Sequence, residues 1–446
     1  MIRPKLMLRW LLQMDQPVPP RNEAEIEAEI ERHYRWNYWV NLLDGGSFWF
    51  GASFISSATI VPLFVSKLTD SPVAIGITAV IAQASWYLPQ LFTANLVERL
   101  PRKKPVVVNL GFFTERLPLF FMTFAAVLAA RSPIAALWLF LLAYAWHGLG
   151  AGIIATAWQD LIARCFPVER RGRFFGTTMF VGAGTGALSA SFSAWLLDHY
   201  PFPTNFVIVF AIATASIMIS LFFIALTREP AQPVTTPRRS RRQYRAELGH
   251  ILRSDVNFRR FLVARWTYAL GTMGIGFVTV AAIHRWQVPD RTVGLFTLMY
   301  LIGQTIGNLL FGYLADHFGH KLSLELSAAL AGMAYLAAWF VPSPAWYFVI
   351  FILLGMNLGA TIVSGILIVM EFASPEKRPT YAGLVNTTVG IFSFLAPLIG
   401  TSLAGVSYGV VFVLGGIINL VCWLLLRFWV KEPRWGEGER PFTPTD

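Results

Sequence analysis

The sequence predicts an all-α membrane protein of twelve transmembrane helices in two pseudo-symmetric six-helix bundles, and three observations carry that prediction. Its 446 residues are 55% hydrophobic and only 14% charged, with a mean hydropathy of +0.54. A soluble fold of this length cannot hide so much apolar surface, so lipid must be the solvent. Apolar runs of the roughly 20 residues that a helical span needs recur along the chain with short breaks. Basic residues also concentrate in alternate loops, and a set of local signals appears twice in the same order.

Residues 1–35 form an N-terminal segment expected on the cytoplasmic side. Met1 to Met14 is basic and partly apolar but lacks a clean apolar core followed by a small-residue cleavage site. It reads as an interfacial helix rather than a signal peptide. After Pro17, Pro19 and Pro20, residues 23–32 alternate acids with Ala24, Ile26, Ala28 and Ile30, which suits a short cytoplasmic helix. The N-terminal bundle, 36–227, is expected to hold spans at 36–65, 72–97, 106–130, 133–164, 173–197 and 203–227. Residues 228–257 are a charged linker, with a helix-like stretch around 244–252. The C-terminal bundle, 258–430, is expected to hold spans at 258–285, 292–315, 322–341, 344–370, 379–404 and 407–430, and 431–446 is a tail.

The net charge of +11 could point to nucleic acid, but its placement argues against that partner. Arg99, Arg102, Lys103 and Lys104 follow the second span, Arg164, Arg170, Arg171 and Arg173 surround the loop after the fourth, and Arg238, Arg239, Arg241, Arg242 and Arg245 follow the sixth. The intervening loops hold little more than Lys67, Arg131, Arg285 and Arg291. By the positive-inside rule the even-numbered loops and both termini are cytoplasmic, in a multi-pass protein of the cell membrane. The two cysteines, Cys165 and Cys422, fit no metal, redox or disulfide spacing.

The duplication rests on four pairs: Arg35-Trp36-Asn37-Tyr38 with Arg265-Trp266-Thr267-Tyr268, Glu98 with Asp316, Arg171 with Arg378, and Arg228-Glu229-Pro230 with Lys431-Glu432-Pro433. The pairs are collinear, as a repeated unit requires. Two matching halves suit alternating access around a site held between them, so a solute transporter is the first expectation.

The loop after the eighth span reads Gly312-Tyr313-Leu314-Ala315-Asp316-His317-Phe318-Gly319-His320-Lys321. It resembles the signature loop of the major facilitator superfamily, Gly-x-Leu-x-Asp-x-x-Gly-Arg-Arg/Lys, with His320 in place of the usual arginine. The first-half copy keeps Leu96, Glu98, Arg102 and Lys103 but has Ala94 and Pro101 where the family has glycines. The loops at 167–173 and 374–378 are also similar to the family's. A Gly-rich fifth span carries Gly176, Gly182, Gly184 and Gly186 without the proline of the antiporter motif, so these read as close-packing positions. The resemblance covers nearly the whole chain and identifies no branch. It implies a cytoplasmic gate built from Glu98, Arg102, Lys103, Arg171, Arg173, Gly312, Asp316, Gly319, Lys321 and Arg378, with Asp316 facing the start of the fifth helix and Glu98 the start of the eleventh.

Charge at membrane depth is costly and therefore a candidate for function. Asp44 sits in the first span next to Gly45 and Gly46, on a helix that lines the cavity in the resembled family. A carboxylate there can bind a proton, face a cationic substrate or hold a structural partner. Glu115 and Arg116 lie about 15 Å into the third span. Adjacent residues of an α-helix point about 100° apart, so the two are expected to meet different helices, Arg116 with Asp44 first. The third helix is peripheral in the family, which favours a structural ion network. His147, mid-way along the fourth span, suits either proton coupling or a hydrogen-bonded packing role. Asp160 and Arg164 form an i,i+4 pair, and Arg265 is close enough to the start of its span to be an interfacial anchor.

The resemblance implies that some polar residues of the second, fourth, eighth, tenth and eleventh spans line the substrate cavity. The candidates are Gln83, Trp86, Gln90, Trp158, Gln304, Asn308, Asn357 and Asn386, with Tyr87 beside them. No nucleotide-binding loop, metal cluster or catalytic triad is legible, so neither an enzyme nor a nucleotide-driven pump is expected, and no cofactor. The expectation is a monomeric secondary transporter of a small organic solute with Asp44, Glu115 and His147 as candidate proton carriers and a mild preference for export. Lipid or lysolipid flipping and a non-transporting receptor or scaffold are the alternatives.

Overall fold

The computed structural model describes residues 9, 11–14, 16, 18, 21–98, 100–232, 241–373 and 377–434. Most of the segment expected as an interfacial helix, residues 233–240 of the linker, Ser374 to Glu376 and most of the tail lie outside the described residues. Contacts divide the chain into an N-terminal unit, residues 1–70 and 81–237, and a C-terminal unit, residues 71–80 and 238–446. Among the described residues, eleven helical stretches are long and apolar enough to cross a membrane.

In the N-terminal unit, α1 (Glu23–Ser53) opens on a capping box in which Asn22 Oδ1 accepts the Glu25 N–H at 2.8 Å and Glu25 returns a carboxylate to the Asn22 N–H. This cap makes the acidic stretch continuous with the first span, where the sequence suggested a separate short helix. That span in turn is shorter than expected: the helix stops after Ser53 and resumes as α2 (Ile60–Leu68). Ser56 and Ser57 lie in the break, and the Ser56 carbonyl takes the Thr59 and Val61 N–H groups instead of extending the helix. Helix α3 (Pro72–Glu98) follows, of which residues 81–98 belong to this unit.

The third span begins with two π-helical turns, Val106–Leu110 and Phe112–Arg116, before α4 (Leu117–Leu128). Pro118 has no N–H to return to the Thr114 carbonyl, which accounts for a widened turn there. Helices α5 (Pro133–Cys165), α6 (Val168–His199) and α7 (Thr204–Ala225) complete the unit.

The C-terminal unit runs through α8 (Arg241–Ser254), α9 (Val256–Gly271), a 3₁₀ turn at Thr272–Gly274, α10 (Ile275–Trp286), α11 (Asp290–Phe318), α12 (His320–Phe340), α13 (Trp346–Phe372), α14 (Arg378–Ala404) and α15 (Tyr408–Phe428). Packing inside the two units follows one plan. The first span of each unit, α1 or α9, packs on the fifth and sixth, α6 and α7 or α14 and α15, and the third packs on the fourth and sixth, α4 on α5 and α7 or α12 on α13 and α15. The duplication read from loop motifs is thus also a duplication of helix contacts.

Lipid removes the hydrophobic drive between helices, so close approach decides their packing. On α11 and α13 a Cβ at Gly303 would collide with the Ile352 carbonyl and one at Gly355 with the Tyr300 carbonyl, so only glycine lets these backbones touch. On α6, Gly182 packs against the Trp49 ring, whereas Gly176 and Gly184 meet nothing within 4 Å among the described residues. The close-packing expectation therefore holds for Gly182 and not for Gly176 or Gly184.

Candidate functional site

Inside the N-terminal unit, α1, α3, α5, α6 and α7 and the π-helical turn before α4 enclose a cavity of about 230 Å³. Asp44, Glu115 and Arg116 line it, and its wall is largely apolar, with six aromatic rings, Phe48, Trp49, Trp86, Trp158, Phe174 and Phe175, among aliphatic neighbours and the polar Asn41 and Thr178. Asp44, Glu115 and Arg116 are buried, at 6%, 3% and 3% exposure, so their charges must be answered from within the unit.

The Ser220 hydroxyl on α7 donates to Asp44 Oδ1 at 2.6 Å. Arg116 Nη1 donates to the Glu115 carboxylate, so these neighbours do form a pair, contrary to the expectation from α-helical spacing. The π-helical geometry explains the difference: a wider turn rotates less per residue, and two long side chains then reach each other. Among the described residues Arg116 makes no ion-pair contact with Asp44, although both face the same cavity. Among the described residues, two buried polar atoms of the cavity lining, Arg116 Nε and Thr178 Oγ1, have no protein partner. Behind the pair, His147 Nδ1 lies 2.7 Å from the Glu115 carbonyl oxygen, which fixes the ring by a backbone contact. The arrangement is one internally neutralised pair, Glu115 with Arg116, beside a further carboxylate, Asp44, bound by a hydroxyl, with two unspent donors on residues that line the chamber.

The remaining candidates are dispersed. Gln83 is half-buried, and Gln90 Nε2 donates to the Trp86 carbonyl at 2.6 Å within its own helix. In the C-terminal unit Gln304 is half-buried, Asn308 Oδ1 is buried without a partner among the described residues, and Asn386 is exposed. Asn357 is buried, accepts the Tyr268 hydroxyl at 2.8 Å and donates to the Ser327 hydroxyl at 2.8 Å. Arg265, read from the sequence as an interfacial anchor, lays its guanidinium against Gly365 of α13 and over the Tyr268 ring. The Tyr87 side chain lies outside the described atoms.

The repeated loops show a second arrangement that the sequence displayed without explaining. Glu229 of Arg228-Glu229-Pro230 accepts the Lys103 and Lys104 N–H groups at 2.7 and 2.9 Å, capping the start of the third span. Glu432 of Lys431-Glu432-Pro433 accepts the Lys321 N–H at 3.0 Å at the equivalent place before the ninth. Burial pushes the Glu229 carboxyl above its usual range against these two N–H groups, and pushes the Lys103 and Lys104 ammoniums below theirs. Burial likewise raises Glu432, to about 7. Gly319 adopts φ +88°, and a Cβ there would collide with the Glu432 carboxylate.

Of the other signature-loop residues, Arg102 donates to Gln16, buried Lys103 pairs with Asp160 at 3.1 Å, and Arg171 donates to the Phe166 and Ala163 carbonyls. Asp160 also takes Arg164 Nε at 3.2 Å, the helical pair read from the sequence. Asp316 is exposed and its carbonyl accepts Arg434 Nη1 at 3.0 Å, Lys321 pairs with Glu325 at 3.0 Å, and Gly312 has open space where a Cβ would be. The side chains of Glu98, Arg173 and Arg378 lie outside the described atoms. Sequence reasoning missed Ser220 and Thr178, whose small hydroxyls look like ordinary helix-packing residues until the fold points them at Asp44 and the cavity.

The family model described as "Major Facilitator Superfamily" matches residues 45–289 and 261–444. The chain belongs to the major facilitator superfamily. It is an all-α, multi-pass membrane protein of that fold. One relative, the inner membrane metabolite transport protein YdjE of Escherichia coli, is 30% identical over 146 residues, 32% of each chain. Another, the 3-(3-hydroxy-phenyl)propionate transporter of Escherichia coli, is 34% identical over 147 residues, 32% of this chain and 36% of that protein. These matches thus span about a third of the relatives' length. Among solved structures, that of the D-xylose-proton symporter superposes with a TM-score of 0.65 at 14% identity, over 89% of this chain and 98% of that one. At that identity the likeness is one of fold.

Proposed function

We propose that this superfamily member is a secondary transporter that moves a small organic solute across the cell membrane by alternating access, coupled to protons through Asp44. The observation that carries the reading is the chamber lined by Asp44, Glu115 and Arg116: a carboxylate held by one hydroxyl, next to a compensated arginine, at membrane depth. Protonation of Asp44 changes the charge of a site whose other ionised pair is already neutral, which is what a coupling residue must do. His147, tied to a backbone carbonyl, supports the wall rather than carrying protons in this reading. The six aromatic rings of the wall, and the kinship with a transporter of an aromatic acid, make aromatic monocarboxylates the first class to test. Both termini are assigned to the cytoplasm on the alternate-loop charge bias.

A ligand-stabilisation screen of the purified full-length protein tests this, because a bound substrate raises apparent stability. Stabilisation by an aromatic monocarboxylate that is weakened in Trp158→Ala is expected. Stabilisation by lipids alone, with none by soluble metabolites, would replace this reading with lipid flipping.

A further inference from the structure

Arg265 is set apart from the other arginines described inside the spans. Arg116 has Glu115 and Arg164 has Asp160, and Arg259, Arg260 and Arg285, which share its span and lack a carboxylate, donate to the Leu252, Trp429 and Trp339 carbonyls, whereas Arg265 has no carboxylate within ion-pair distance among the described residues. Its Nε is buried without a hydrogen-bond partner. It lies about 14 Å along α9 from Val256, and its guanidinium rests on Gly365, about 10 Å in from the Phe372 end of α13.

The surroundings hold this cation without neutralising it. At Gly365 a Cβ would sit 3.3 Å from Arg265 Nη2 and 3.7 Å from Cζ, so the glycine leaves room for the guanidinium plane. The Tyr268 ring lies under it, with Cζ 5.2 Å from the centroid. The nearby acceptors are engaged elsewhere: the Tyr268 hydroxyl donates to Asn357 Oδ1 at 2.8 Å and lies 3.0 Å from Thr361 Oγ1, and Asn357 donates onward to Ser327. Thr361 and Gly365 are one helical turn apart and share a face. The result is a neutral, internally bonded polar wall beside an unneutralised, pre-oriented fork of N–H donors, in a setting where an unpaired charge is expensive.

We propose that Arg265, braced by Gly365 and Tyr268, is a binding site for the carboxylate of a small organic anion, distinct from the chamber of the N-terminal unit. A carboxylate matches the two-pronged donor geometry that arginine offers and lysine does not. The proposal concerns binding alone and does not depend on Asp44 coupling.

The test uses benzoate as probe and its neutral isostere benzamide as control, with the full-length protein in nanodiscs of either phosphatidylcholine alone or phosphatidylcholine with phosphatidylglycerol. Binding is read by thermal stabilisation and by titration calorimetry. Benzoate is expected to bind and benzamide not, with Arg265→Gln and Arg265→Lys each weakening benzoate by about tenfold or more. Gly365→Ala, which keeps the charge but displaces the guanidinium, is expected to weaken it too, and guards against misfolding of the Arg265 variants. Wild-type benzoate affinity in Arg265→Gln would overturn the proposal, and loss of benzoate binding in Trp158→Ala alone would assign that binding to the N-terminal chamber. Stabilisation by phosphatidylglycerol that requires Arg265, with no benzoate binding, would make Arg265 a lipid-headgroup anchor and overturn the carboxylate site as well.

Discussion

Removing the carboxylate from the buried Glu115–Arg116 pair gives the sharpest stability prediction. In Glu115→Gln the guanidinium keeps its charge at 3% exposure, loses its only ion-pair partner among the described residues, and already has one N–H, at Nε, without an acceptor. Breaking a buried pair by deleting one partner costs about 3–5 kcal/mol. Asp44 lines the same cavity and offers a second negative charge, so the loss should fall at the lower end, about 3 kcal/mol. Asp44→Asn alone leaves the pair intact and removes one charge-assisted hydrogen bond from Ser220, so its effect should be smaller, about 1–2 kcal/mol. The double variant should lose more than the sum, because nothing then compensates Arg116. Unfolding titrations with sodium dodecyl sulfate in mixed micelles measure all three, and Glu115→Gln/Arg116→Met should recover much of the single-variant loss. Additive effects of Asp44→Asn and Glu115→Gln would refute the shared-cavity electrostatics, and wild-type stability in Glu115→Gln would refute the pair itself.

Other expectations can be checked in parallel. Gly319→Ala forces a side chain into a positive-φ backbone and onto Glu432, and should lower stability by roughly 1–3 kcal/mol in the same titration. Glu432 has a raised pKa of about 7, caused first by burial and opposed by the Lys321 N–H. The folded state therefore holds this proton more tightly than the unfolded chain, and the associated stability is present at pH 4 and lost as pH rises through about 7. Glu432→Gln should flatten that part of the stability–pH curve, and an unchanged curve would remove Glu432 as its source. Single cysteines at Ser132, Pro201 or Ser343 should react from outside the cell with an impermeant thiol reagent, and labelling only from the cytoplasm would reverse the topology.

Much of the fold was legible because lipid imposes simple rules: length and apolarity give the spans, and the repeated motifs anticipated a repeated helix packing. The break between Ser53 and Ile60 was not legible, since the hydroxyl residues Ser56, Ser57 and Thr59 sit comfortably inside many membrane helices and only the backbone bonding reveals the interruption. Membrane-depth charge drew attention to Asp44, Glu115 and Arg116, but uniform α-helical spacing gave the wrong geometry for the last two. Pro118, two residues on, was the available signal for a widened turn. The packing of Arg265 was hidden for a different reason. Its distance from the start of α9 is compatible with snorkelling, and only the glycine at 365, far away in sequence, shows where the guanidinium goes. The twin glutamates 229 and 432 were visible as a repeat, yet what they cap became apparent only from the fold.

The central claim is that Asp44 couples solute movement to protons. It is tested most directly in proteoliposomes under an imposed pH gradient, following a radiolabelled aromatic monocarboxylate that the stabilisation screen has shown to bind. In Asp44→Asn, gradient-driven accumulation should vanish while exchange of internal for external substrate persists; accumulation at the wild-type level in that variant would contradict the account.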